Sequence, residues 1–243
     1  MDAHTLIFSG KTATITNTYS PPIALKAGYN YSLALTSFDG WNSIPNIVKT
    51  NCEFRYRDTS TSEWKTISLE TGSYEIDDIT KSLNEQLKKQ KPDVELDDEP
   101  LKITPNASTM KCTVKCIYDI DFETRTNSIA PVLGFTAPRI LKAGEEHTSD
   151  KTVDIINISS ILIRCNIISA SYLNDKSDHI LYSFYPTEPV GYKINIVPNN
   201  FIYLPVMNDV ISSITLDVVD QEGKHVDFRG EQITLTLYLR GEK

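Results

Sequence analysis

The sequence predicts an all-β protein, a sandwich of two antiparallel sheets with one inserted amphipathic helix. Three observations predict it. The final strand alternates apolar and polar residues without a fault, similar period-two stretches recur along the chain, and only one segment carries a helical stripe. Regular strands with few helices between them argue against a parallel sheet, whose crossovers need helices.

From the N-terminus, candidate strands lie near 4–9, 11–16, 29–38, 52–57 and 63–69. The helix follows, near 75–91. Ile76, Ile79, Leu83 and Leu87 form a single apolar stripe at spacings of three, four and four. Glu75, Asp77 and Asp78 crowd its first turn and Lys88, Lys89 and Lys91 its end, as the helix dipole favours. Pro92 stops it. The acidic run at 93–99 reads as a solvated loop. Further strands lie near 110–119, 152–157, 160–168, 178–185, 192–197 and 201–206.

The C-terminal third reads as an antiparallel meander. Ile214, Leu216 and Val218 alternate with Thr215 and Asp217, and Gly223 supplies the positive φ of a bulged hairpin into 224–228. In the last strand Ile233, Leu235, Leu237 and Leu239 face one way, with Thr234, Thr236, Tyr238 and Arg240 facing the other. So many strands exceed one small sheet and suit two packed sheets with a few ornamental hairpins. With no internal repeat, low-complexity tract or Pro/Gly/Ser linker, residues 1–243 read as a single domain with a helical insertion near 75–91.

Composition narrows the function without naming it. The 243 residues carry 24 Lys+Arg against 32 Asp+Glu, a net charge of -8 and a pI near 5.1. That balance argues against a broad phosphate-binding surface, so direct nucleic-acid binding is not expected. The longest uncharged stretch, 194–208, holds four Asn and two Pro and makes no membrane span. The start, Met1-Asp2-Ala3-His4, has no apolar h-region, so we expect no secretory leader, and the sequons at Asn30, Asn106 and Asn157 carry little weight. Folding buries roughly 29,000 of roughly 40,000 Å² by the surface scaling of globular chains, ample for one large core or two small ones.

Reactive constellations are scarce. Cys112 and Cys116 share one strand face, Cys165 alternates inward with Ile161, Ile163 and Ile167, and Cys52 opens a strand. Zinc sites prefer paired knuckles in tight turns, so these thiols read as small core residues. His147 reads as a solvated loop residue, and no nucleophile elbow, metalloprotease motif or P-loop occurs. Asp119, Asp121 and Glu123 alternate onto one face and read as a solvated strand face. No cofactor, metal or catalytic residue is expected.

The informative residues are apolar ones in loops. The segments 41–47 and 127–135 are turn-rich yet hydrophobic, and they either plug the ends of the sandwich or meet a partner. Trp41, Ile44, Pro45, Ile47, Ile129, Pro131, Leu133 and Phe135 are therefore the candidate assembly-interface residues.

Several motifs together resemble one family. They are Tyr19-Ser20-Pro21-Pro22-Ile23, Leu33-Ala34-Leu35-Thr36-Ser37-Phe38, Asn42-Ser43-Ile44-Pro45-Asn46 and Gly72-Ser73-Tyr74-Glu75-Ile76-Asp77-Asp78-Ile79. Further on come Asn127-Ser128-Ile129, Leu133-Gly134-Phe135, Tyr192-Lys193-Ile194 and Ile202-Tyr203-Leu204-Pro205-Val206, then Val219-Asp220-Gln221-Glu222-Gly223 and Asp227-Phe228-Arg229-Gly230-Glu231. The chain resembles the minor capsid (penton) proteins of Polinton/Maverick elements and adintoviruses. The resemblance implies a single jelly-roll and a structural, non-enzymatic role in the virion capsid, after synthesis in the host cytoplasm or nucleus. It implies homopentamers at the vertices, beside a double jelly-roll major capsid protein. Two other classes remain open at this point: a jelly-roll binding module for a carbohydrate or receptor, using Trp41 or Trp64, and a β-sandwich hydrolase using Asp119, Asp121 or Glu123.

Overall fold

Eight strands pair as one long hairpin rolled upon itself. They are β1 (Asp2–Gly10), β2 (Thr14–Ala24), β3 (Asn30–Trp41), β4 (Ile161–Cys165), β5 (Ile180–Phe184), β6 (Lys193–Ile196), β7 (Val210–Asp220) and β8 (Ile233–Glu242). The first pairs with the last, the second with the seventh, the third with the sixth, and the middle two with each other. Every ladder is antiparallel. Rolling that hairpin yields two sheets, β1-β8-β3-β6, to which the short strand Leu204–Pro205 adds alongside β3, and the four-stranded β5-β4-β7-β2. This is the jelly-roll topology. The computed structural model describes residues 2–58, 61–90, 99–155 and 158–243.

Alternation makes the sandwich. Ile233, Leu235, Leu237 and Leu239 are wholly buried, whereas Thr234, Thr236, Tyr238 and Arg240 on the opposite face are half-exposed. Burying each such leucine contributes about 1.5–3 kcal/mol relative to leaving it in water. The same residues join Phe8, Leu33, Leu35, Ile163, Leu216 and Val218 in one core, with Phe38 tilted against Phe184 at 4.9 Å and Phe228 at 6.2 Å.

Contacts divide the chain into two compact units, Met1–Ile44 with Ile158–Lys243, and Pro45–Asn157. The second lies in sequence between β3 and β4. It holds a four-stranded sheet (Glu53–Arg57, Lys65–Ser68, Asp119–Asp121, Ile140–Leu141) and a three-stranded one (Leu101–Asn106, Lys111–Cys116, Glu146–Thr148). Helix α1 (Ile76–Gln90) buries the expected stripe of Ile76, Ile79, Leu83 and Leu87 in this unit's own core, among Phe54, Tyr56, Leu101 and Val114. Asn84 lies on that buried face because its amide replaces a strand partner. It donates to the Leu101 carbonyl at 2.8 Å and accepts from the Leu101 N–H at 2.9 Å. Seven of the surplus strands thus build a second core around the helix, whereas Ser171–Leu173 and Lys176–Asp178 pair as a small hairpin of the kind expected, within the sandwich unit.

Three local expectations are corrected. The C-terminal meander does not form, because β7 and β8 belong to different sheets. Segment 224–228 first turns back on β7, with the Asp220 N–H donating to the Lys224 carbonyl at 2.8 Å, the Val226 N–H donating to the Val218 carbonyl at 3.1 Å and a Val219–His225 bridge between them, and it buries Val226 and Phe228. Gly223 does take a positive φ of 82°. A strand near 152–157 is not found at 152–155, and 156–157 lie outside the described residues. Strand Leu101–Asn106 was not expected, since its apolar Leu101 and Ile103 are followed by Pro105 and polar residues. Lys91, Pro92 and the acidic run up to residue 98 also fall outside the described residues. Among the described residues, no helix is long and apolar enough to cross a membrane.

Candidate functional site

The hydrophobic loops singled out in the sequence serve mostly as interior. The Ile47 N–H donates to the Gly72 carbonyl and the Gly72 N–H donates back, each at 3.0 Å. Asn46 closes the same turn by donating to the Tyr74 carbonyl at 2.7 Å and accepting from its N–H at 2.9 Å. In the other loop, the Ile129 N–H donates to the Glu53 carbonyl at 2.9 Å and Phe135 packs on Phe122 with ring centroids 5.0 Å apart. Gly134 makes that packing feasible. Its φ is 77°, and a Cβ there would fall 2.4 Å from the Lys151 carbonyl oxygen. Ile47, Ile129, Leu133 and Phe135 are 0% exposed and Pro45 is buried. These five offer no surface to a neighbouring molecule. Ile44 is half-buried against the sandwich core, so Trp41 and Pro131 are the exposed members of the set.

The ionisable candidates are also structural. Asp119 and Asp121 are not a solvated face; both are buried. Arg57 donates to the Asp119 carboxylate through Nη2 at 3.0 Å and Nε at 3.2 Å, and the Ala143 N–H donates to its other oxygen at 3.0 Å. Burial pushes the Asp119 carboxyl up, but the Ala143 N–H, the Arg57 guanidinium and the Lys142 charge together outweigh it and hold the group below the usual carboxylate range. Asp121 accepts from the Glu123 and Thr124 backbone N–H groups, both at 2.9 Å, and pairs with Arg55 at 3.0 Å. Both carboxylates are occupied by fixed donors, which suits a clasp and not a general acid or base. Glu123 is exposed beyond the strand end. Trp64 stacks under the Arg57 guanidinium at 4.5 Å.

His147 lies on a strand opposite Val114, half-exposed, with Nε2 3.2 Å from the Lys142 carbonyl. Cys112, Cys116 and Cys165 are buried free thiols, pushed by desolvation to about 11, about 11 and about 12. Among the described residues, no three His, Cys, Asp or Glu side chains converge as a metal site.

What does stand out is exposed apolar surface. Of thirteen large hydrophobic residues exposed among the described residues, eight fall between 185 and 210: Tyr185, Val190, Tyr192, Val197, Phe201, Ile202, Met207 and Val210. The strand geometry explains why. β6 pairs with β3 from Lys193–Trp41 to Ile196–Phe38, and the chain rejoins β3 at Leu204–Leu33. Over that interval β3 advances five residues and the outer chain eight, so an extra loop is squeezed out from the sheet edge. Phe201 and Ile202 ride on it. Its base is clamped by Tyr203, whose ring lies 3.4 Å from the Arg240 guanidinium. At the other end of β6, Asn42 holds the 188–192 loop by donating to the Glu188 carbonyl at 2.7 Å. The criterion that picked 41–47 and 127–135, apolar residues among turn formers, also fits Glu188-Pro189-Val190-Gly191-Tyr192 and Val197-Pro198-Asn199-Asn200-Phe201-Ile202.

Strand order, pairing and the two cores define a single jelly-roll β-sandwich carrying a second α+β unit between its third and fourth strands. Among solved structures, the selenomethionine-labelled mavirus penton protein is similar in fold. It aligns over 100% of both chains with a TM-score of 0.52 at 13% sequence identity. No protein-family profile and no curated protein matches the sequence.

Proposed function

We propose that this chain is a structural capsid protein, a penton subunit that occupies the vertices of an icosahedral virion by assembling into pentamers. The single observation that carries the proposal is the exposed apolar stretch between 185 and 210 on a jelly-roll frame. A ring of identical copies needs a heterologous contact, in which one patch meets a different patch on the next copy. Such contacts favour apolar and aromatic anchors within a polar rim and need no reactive group. The full-length likeness to a penton protein supports the reading. So does the resemblance of the sequence motifs to the penton proteins of Polinton/Maverick elements and adintoviruses, which implies a double jelly-roll major capsid protein as the neighbouring partner.

In this reading the chain works as one jelly-roll domain with Pro45–Asn157 as its elaboration. Phe201 and Ile202 are the principal contact residues, with Pro131 as a secondary position. Sedimentation velocity and negative-stain imaging of the purified chain test it. A species of five times 27.4 kDa with fivefold views is expected, and Phe201→Ser with Ile202→Ser should disperse it. Monomers alone at high concentration, together with no vertex density in particles, would sink the proposal.

A further inference from the structure

We propose a site for a neutral sugar on the outer face of the first sheet, formed by Trp41, Asp39, Asn195 and Lys193. The inference does not rest on the assembly reading.

Facing comes first. Phe38 is in the core, and a Cβ on Gly40 would meet Phe38 and Ile233, so the alternate residues Asp39 and Trp41 point away from it. Register then places Lys193 opposite Trp41 and Asn195 opposite Asp39. On the other side Thr234 is opposite Asp39 and Ser9 opposite Thr234. A polar row, Ser9–Thr234–Asp39–Asn195, therefore crosses all four strands, with an indole at its border that is 45% exposed.

The carboxylate is prepared for a ligand. Asn195 donates through Nδ2 to Asp39 Oδ1 at 2.6 Å, and Lys193 Nζ lies 3.3 Å from that same oxygen. Both donors fall on Oδ1, which fixes the carboxylate plane and leaves Oδ2 with lone pairs for an incoming hydroxyl. Residues two apart on a strand are separated by about 6.6 Å, and opposite residues by about 5 Å. One pyranose ring spans either gap.

The chemistry selects the ligand class. A pyranose has an apolar C–H face for the indole and a rim of hydroxyls for the carboxylate and amide. An apolar peptide segment would bury the polar row without partners, which is costly. An anion would meet the carboxylate. Asp39 and Lys193 cancel, so an uncharged sugar fits best. Asp39 and Asn195 sit on paired strands and are hydrogen-bonded to each other before binding.

The chain has two tryptophans, which makes the test direct. In a Trp64→Phe background, Trp41 fluorescence is titrated with methyl β-galactoside, methyl α-mannoside, methyl β-glucoside and N-acetylglucosamine. At least one should give a saturable change in the millimolar range that a hexose-sized ligand reaches. Asp39→Ala, which retains the reporter, should weaken it at least about tenfold, and Asn195→Ala should weaken it less. Circular dichroism confirms the fold of each variant, and sedimentation follows the oligomer separately. No saturable change with any of the four sugars up to about 50 mM, a range far past millimolar binding, would overturn the site. So would a response that Asp39→Ala and Asn195→Ala leave intact. Should Trp41→Ala alter only the oligomer mass, the indole belongs to a neighbouring copy and the sugar site is rejected.

Discussion

Arg57 and Asp119 stand directly opposite each other on paired strands, with side chains only 14% and 9% exposed. Neither group tolerates losing the other, because an uncompensated charge would remain nearly out of water. Asp119→Ala should lower stability by about 3–5 kcal/mol, the usual result of removing one partner of a buried pair. Urea denaturation should show the midpoint falling at unchanged slope. A shift below about 0.5 kcal/mol, typical of a surface substitution, would mean that the clasp is not structural.

Acid should act on the same clasp. The folded pKa of Asp119 is depressed, as is that of Asp150, which accepts from the Ala137 and Thr136 N–H groups and pairs with Arg139. The unfolded chain therefore takes up these protons first. The stability they contribute is present above the unfolded carboxylate value of about 3.9 and is lost as pH falls through the lower folded values. Denaturation midpoints should drop below about pH 4, with a shallower drop in Asp119→Asn. Identical acid limbs for the wild type and that variant would contradict the assignment.

The two faces of β8 should respond unequally. Leu235→Ala and Leu237→Ala remove buried side chains and should each cost about 2–5 kcal/mol. Thr236→Ala, on the half-exposed face between them, should cost under about 1 kcal/mol. Equal losses at all three positions would mean that the outer face is covered as well.

Thiol chemistry reports the packing independently. Cys112, Cys116 and Cys165 are buried, with their pKa values pushed to about 11 or 12, so little thiolate exists at pH 8. A colorimetric thiol reagent should label Cys52 alone in the native protein and all four cysteines in denaturant. Rapid native labelling of more than one thiol would refute the burial of these side chains.

Asn84 supplies the most specific test of the second unit. Its amide satisfies both backbone groups of Leu101 within a buried surround. Asn84→Ala and Asn84→Leu should each cost about 2–4 kcal/mol, because two buried polar groups lose partners and an added apolar side chain restores neither. Protection of the Leu101 amide from hydrogen exchange should fall in parallel. A neutral Asn84→Leu would remove the amide from the account.

Much of the fold is legible in residue spacing. The stripe of α1 and the alternation of β8 each bury the residues their periods select, because a side chain's direction follows from backbone geometry before any neighbour arrives. Asp119 and Asp121 show where that reasoning fails. Alternation places two acids on one face, but it does not say that Arg55 and Arg57 lie across from them. The loops 127–135 and 197–203 fail in the same manner. Both are apolar and turn-rich in sequence; one is folded into a core and the other is squeezed out from a sheet edge.

The amino-acid order by itself determined the long framework strands, where the helix lies and which side of each is apolar, since these are local consequences of period and propensity. Tertiary structure decided everything that depends on partners. It sent β7 and β8 to opposite sheets, gathered most of the surplus strands into a second core, turned two acids into a clasp and left most of the 185–210 stretch uncovered. The physical reason is that alternation sets direction but not partner: the same pattern serves a strand returning in its own sheet or crossing to the next.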